Sequence, residues 1–91
     1  IILGCAHRGI VNILTHIKKQ LDQPIYGIIG GTNLHDASLK QIQFVENFLQ
    51  QEKIQLFAPA HCTGFNRINQ FINKFPQIAT GGFCGKSFII E

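Results

Sequence analysis

The stretch Ile54-Gln55-Leu56-Phe57-Ala58-Pro59-Ala60-His61-Cys62-Thr63-Gly64 decides the reading of this chain. Its first five residues, apolar except for Gln55, form a run of strand length. Thr63 follows as a predicted helix cap, and Phe65, Ile68, Phe71, Ile72 and Phe75 then recur at helical spacing until Pro76. A strand that passes straight into a helix is the unit of an α/β fold, and its carboxyl end is where such folds collect ligands. His61 and Cys62 stand at that junction.

Two earlier segments repeat the layout. Ile1-Ile2-Leu3 is an apolar run closed by Gly4-Cys5-Ala6-His7-Arg8-Gly9, after which Ile10, Ile13, Leu14, Ile17 and Leu21 mark one face of a helix. Ile25-Tyr26-Gly27-Ile28-Ile29 leads to Gly30-Gly31 and the polar loop Thr32 to Asp36. Ser38 and Gln41 then supply a capping box for a helix buried through Leu39, Ile42, Val45, Phe48 and Leu49. Beyond Pro76, Ile78-Ala79-Thr80, a glycine-rich turn at residues 81–85 and Ser87-Phe88-Ile89-Ile90 predict a terminal hairpin or two edge strands. The expected order is β-α-β-α-β-α-β-β, with right-handed crossovers and a mostly parallel or mixed sheet.

The chain has 91 residues, 45% apolar and 14% charged, against about 25% charged in an average globular chain. This is one domain, residues 1–91, whose apolar surplus predicts contact with another protein surface. The net charge of +3 is scattered, with Lys18-Lys19 the one basic pair, so no nucleic-acid-binding stripe is expected. No apolar run reaches the ~18 residues that span a bilayer. Three cysteines, one beside a histidine, do not make a disulfide framework and predict a reducing, cytoplasmic setting.

The three strand ends carry the candidate chemistry. His61 is either a turn histidine bonded to backbone or a ligand beside the free N–H groups of a helix start. His7 has the same position after the first strand, with Arg8 available to an anion or simply solvated. Cys5 and Cys62 each lie within two residues of a histidine, and zinc accepts thiolate with imidazole. Cys62 reads as a buried small hydrophobe, whereas Cys5 stays open. Asn33 and His35 in the middle loop can reach the same centre or face solvent. His16 is read as surface and Cys84 as structural. Gly85-Lys86-Ser87 is not a Walker loop, because a strand-like run follows it.

Gly4-Cys5-Ala6-His7-Arg8-Gly9-Ile10-Val11-Asn12, Gly30-Gly31-Thr32-Asn33-Leu34 and His61-Cys62-Thr63-Gly64, in this order, resemble the C-terminal half of metallo-β-lactamase-fold hydrolases. The nearest branch is similar to the metal-dependent hydrolases of β-lactamase superfamily II that include dihydropterin-aminobenzene-phosphate synthase-like members. The resemblance implies half of an αββα sandwich. It also implies one or two metals, usually zinc, with His61 and His7 as ligands and Cys5 where many members carry a bridging aspartate. Arg8, Asn33 and His35 become substrate contacts, although relatives often have histidine at the position of Asn33.

The family's His-x-His-x-Asp-His signature is absent, so the resemblance makes this chain a C-terminal fragment whose missing N-terminal half would complete the site. The implied activity of the whole protein is cleavage of a small-molecule ester or phosphoester by metal-bound hydroxide, the fragment itself being inactive. The alternative is a non-catalytic binding or assembly module that pairs through an exposed apolar face, with its missing half or with another copy. A thiol redox protein is a third reading, disfavoured because no Cys-x-x-Cys is present.

Overall fold

A computed structural model describes residues 1–90. Three parallel strands, β1 (Ile2–Leu3), β2 (Gly27–Gly31) and β3 (Leu56–Ala60), form a sheet in the order β1-β2-β3. Helices α1 (Ile10–Leu21) and α2 (Leu39–Gln51) make the crossovers, and a single 3-10 turn, His61–Thr63, joins β3 to α3 (Phe65–Lys74). The α/β class and the first six elements follow the expected order.

All three helices lie on one face of the sheet. In parallel register Ile28 pairs with Phe57, so their side chains point the same way, and both are fully buried. Phe57 meets Phe71 of α3 edge-on, with centroids 5.0 Å apart and an interplanar angle of 88°. Ile10 and Leu14 of α1 and Ile42, Val45 and Leu49 of α2 complete the same core cluster. The opposite face presents Ile2, Ile29, Leu56 and Ala58. Ile2 is 85% exposed there and Ile29 and Leu56 are half-buried, whereas Ala58 is fully buried.

Several expectations are corrected. Leu39 and Phe65 are exposed at the first positions of α2 and α3, at the helix ends and outside the core cluster. Leu21, at the end of α1, is also exposed. The two terminal strands do not form among the described residues. Residues 78–82 run along β3 as a partial fourth edge, through Phe57 N–H to Ile78 O (2.9 Å), Thr80 N–H to Phe57 O (2.9 Å) and Gly82 N–H to Pro59 O (3.0 Å). Gly82 fits there because a Cβ would sit 2.5 Å from the Ala58 carbonyl oxygen. After the turn closed by Lys86 N–H to Phe83 O, Ile89 and Ile90 remain exposed with no strand to pair them.

Candidate metal centre

The carboxyl ends of the three strands converge as the alternation predicts, and the backbone there is tightly constrained. Gly31 N–H donates to Gly4 O (3.1 Å), which ties the exit of β2 to the loop after β1. A Cβ on Gly31 would lie 2.4 Å from that oxygen and 2.3 Å from His61 Cε1, so only glycine lets the imidazole lie across the end of β2. Gly31 is in register with Ala60 and shares its face, which places the His61 ring on the side of the sheet away from the helices.

Ala6, Asn33 and His61 all have positive φ (53°, 54° and 23°), one in each of the three loops. Such conformations cost on the order of 1–3 kcal/mol for residues other than glycine and concentrate where side chains must be aimed at a site.

The result is a cluster of three soft donors. Cys5 Sγ lies 2.9 Å from His61 Nε2, and the metal-binding atoms of Cys5, His61 and Cys62 all fall within 4.8 Å of one another. Cys62 Sγ also accepts from Asn33 N–H (3.2 Å) and lies 3.6 Å from Cys5 O. Both cysteines are half-buried and His61 is exposed. The Cys5 thiol is pushed above its ordinary pKa, first by its hydrogen bond with the Cys62 side chain, then by partial desolvation and the charge of Cys62. Two thiolates and an imidazole make a donor set that suits zinc, with three protein ligands leaving a fourth position open. The residues present therefore fit a soft metal ion.

The other candidates are arranged around this cluster. His7 is exposed and is not one of the three clustered donors. With Asn33, His35 and Asp36 it lines an adjacent groove of about 340 Å³. His35 Nδ1 bonds to Cys62 O (3.0 Å), and its Nε2 lies 3.0 Å from Asp36. Arg8 is exposed at the start of α1, where its carbonyl accepts from Asn12 Nδ2 (2.9 Å).

The sequence reading missed three residues. Cys62 is a member of the donor cluster, where burial alone was expected. Thr63 does not cap α3, whose N-cap is Gly64 without a side-chain bond. Its hydroxyl is fully buried 2.7 Å from that of Thr32 and also accepts from Thr32 N–H, fastening the β2 exit to the 3-10 turn. Arg67, on α3, donates to Leu34 O (3.3 Å), Ala37 O (3.1 Å) and Gln70 Oε1 (2.7 Å), so it holds the β2–α2 loop. The adjacency of Cys62 to His61 was the one signal available for the first of these. The other two depend on contacts across about 30 residues of sequence.

The fold and cluster can be set beside known proteins. No family model matches the chain. A crystal structure of a metal-dependent hydrolase of the β-lactamase superfamily superimposes with a TM-score of 0.87 at 28% identity, over 98% of this chain and 35% of the other. This chain therefore has the fold of part of a β-lactamase-superfamily metal-dependent hydrolase. Within that class it is similar to the 7,8-dihydropterin-6-methyl-4-(β-D-ribofuranosyl)-aminobenzene-5'-phosphate synthase of Methanocaldococcus jannaschii, 33% identical over 78 residues, 85% of this chain and 26% of that protein. An uncharacterized protein of the same organism is 30% identical over 87 residues, 93% of this chain and 33% of its own length. The chain thus spans between a quarter and a third of the curated relatives it matches.

Proposed function

We propose that this chain is the C-terminal, ligand-bearing part of a metal-dependent hydrolase acting on a small-molecule ester or phosphoester. The convergence of Cys5, His61 and Cys62 at the strand ends carries the reading. A bound zinc ion supplies Lewis acidity and a lowered water pKa. Around it, the groove lined by His7, Asn33 and His35 offers hydrogen bonds to the body of a substrate. Arg8 and the first turns of α1 and α3 favour a negative group such as a phosphate. Three donors, with no second such cluster among the described residues, make a partial site, so the chain alone is expected to bind metal with little or no turnover. An odd number of cysteines without a Cys-x-x-Cys pair suits a reducing, cytoplasmic setting.

The test is metal stoichiometry by mass spectrometry after equilibration with zinc. The wild-type chain is expected to retain zinc, His61→Ala and Cys62→Ser to lose at least tenfold in affinity, and His7→Ala to retain it. Unchanged binding in all three variants would remove the cluster from the proposal.

The partly covered sheet face favours a second reading, an assembly module. Ile2, Leu21, Tyr26, Ile29, Leu56 and Ile90 line a groove of about 360 Å³ that runs from this face round the amino ends of the strands. An apolar surface of this kind pairs with the remaining part of the hydrolase or with a second copy. Sedimentation that stays monomeric over a wide concentration range would exclude the second copy.

A further inference from the structure

We infer that Cys5 and Cys62 form a thiol–disulfide site whose closed form cannot take the metal. The two residues are separated by 57 positions in sequence. Even so, their sulfurs lie within 4.8 Å, and Cys62 Sγ rests 3.6 Å from the carbonyl oxygen of Cys5 itself. A disulfide needs the sulfurs about 2.05 Å apart, so closure asks for a sulfur displacement of under about 3 Å. Cys5 lies in the loop after β1 rather than in a strand or helix, and Cys62 lies in a single 3-10 turn, so side-chain rotation and small loop shifts can supply it. Both cysteines are half-buried beside the exposed His61, within reach of a small molecule.

The oxidant is a small-molecule disulfide, RS–SR. One protein thiolate attacks a sulfur of RS–SR, forming a mixed disulfide and releasing RS⁻. The second protein thiolate then attacks the cysteine sulfur of that mixed disulfide and releases the other RS⁻. The two protons lost by the protein thiols end on the two RSH products, and two electrons pass from the protein sulfurs to the reagent. The S–S bond consumes two of the three donors, leaving His61 alone, which is too few to hold zinc. Conversely, bound metal masks both thiolates, so occupancy and oxidation exclude each other. The exclusion rests on the metal reading above, whereas the pairing of the thiols does not.

The experiment uses the chain with Cys84→Ser, since Cys84 is exposed in the glycine-rich tail and would otherwise report on itself. The protein is stripped with a chelator and equilibrated with oxidised glutathione. Free thiols are then counted by alkylation and intact mass, with and without prior loading of zinc. Both thiols are expected to disappear together without a glutathione adduct, a peptide linking Cys5 to Cys62 to be recovered, and zinc uptake to fall at least tenfold. Preloaded zinc is expected to preserve both thiols. Persistence of two free thiols, or a glutathione adduct that never resolves, would overturn the pairing. A Cys5–Cys62 disulfide that leaves zinc uptake unchanged would overturn the exclusion. Failure of the reduced chain to bind zinc would count against the metal reading, and thiol counting would still decide the pairing.

Discussion

At the residue scale, the site is built on contacts that each depend on one atom. Gly31 admits the His61 ring only because it lacks a Cβ, and the buried Thr32–Thr63 hydroxyl pair keeps the turn carrying His61 and Cys62 against β2. A buried hydroxyl left without its partner costs about 1–3 kcal/mol. Thr63→Val is therefore expected to lower unfolding free energy by about that amount in urea titration. The double variant with Thr32→Val is expected to cost no more than Thr63→Val alone, because the orphaned hydroxyl is removed with its partner. Additive costs would show that the two threonines act separately.

At the scale of elements, the middle loop of the site is secured by two helices. The β2–α2 loop, which carries Asn33 and His35, ends in the Ser38 capping box, where Gln41 N–H donates to Ser38 Oγ and Ser38 N–H to Gln41 Oε1. It is also held from α3 by the two carbonyl bonds of Arg67. Hydrogen bonds from a charged donor contribute about 1.5–3 kcal/mol each. Arg67→Ala is thus expected to speed amide hydrogen exchange at Ala37, whose N–H bonds to Leu34 O, by at least about tenfold while exchange in β2 changes little. Arg67→Lys is expected to recover only part of the protection, because an ammonium cannot span both carbonyls as the guanidinium fork does. Uniform acceleration across the chain would instead assign Arg67 to global stability.

At the scale of the whole molecule, three helices on one face of a three-stranded sheet leave a two-layer body whose other side is only partly covered: Ala58 is buried there, Ile29 and Leu56 are half-buried and Ile2 is exposed. The matched hydrolase structure is nearly three times as long, so most of that molecule lies outside the aligned region. No helix among the described residues is long and apolar enough to cross a membrane. If this partly covered face drives self-association, Ile2→Lys is expected to raise the monomer fraction in analytical ultracentrifugation while leaving far-UV circular dichroism unchanged. Ile2 is already 85% exposed on an edge strand, where a lysine is well tolerated. An unchanged association constant would place the contact elsewhere.

The order of strands and helices, the convergence of three loops at one sheet edge and the candidacy of Cys5 and His61 were all set by the sequence, because periodicity and turn residues are local properties of the chain. The Ser38 capping box was legible for the same reason, since its partners are three residues apart. Which donors meet was decided only by tertiary structure. Cys62 joins Cys5 across 57 positions while His7, two residues from Cys5, lines the neighbouring groove, with the positive-φ Ala6 between them. Thr63 and Arg67 likewise took roles that no local pattern encodes, as their partners are brought near by the packing of α3 against the sheet. The glycine-rich tail had strand-like composition, yet strand formation needs a paired edge. Only residues 78–82 find one beside β3, and Ile89 and Ile90 do not.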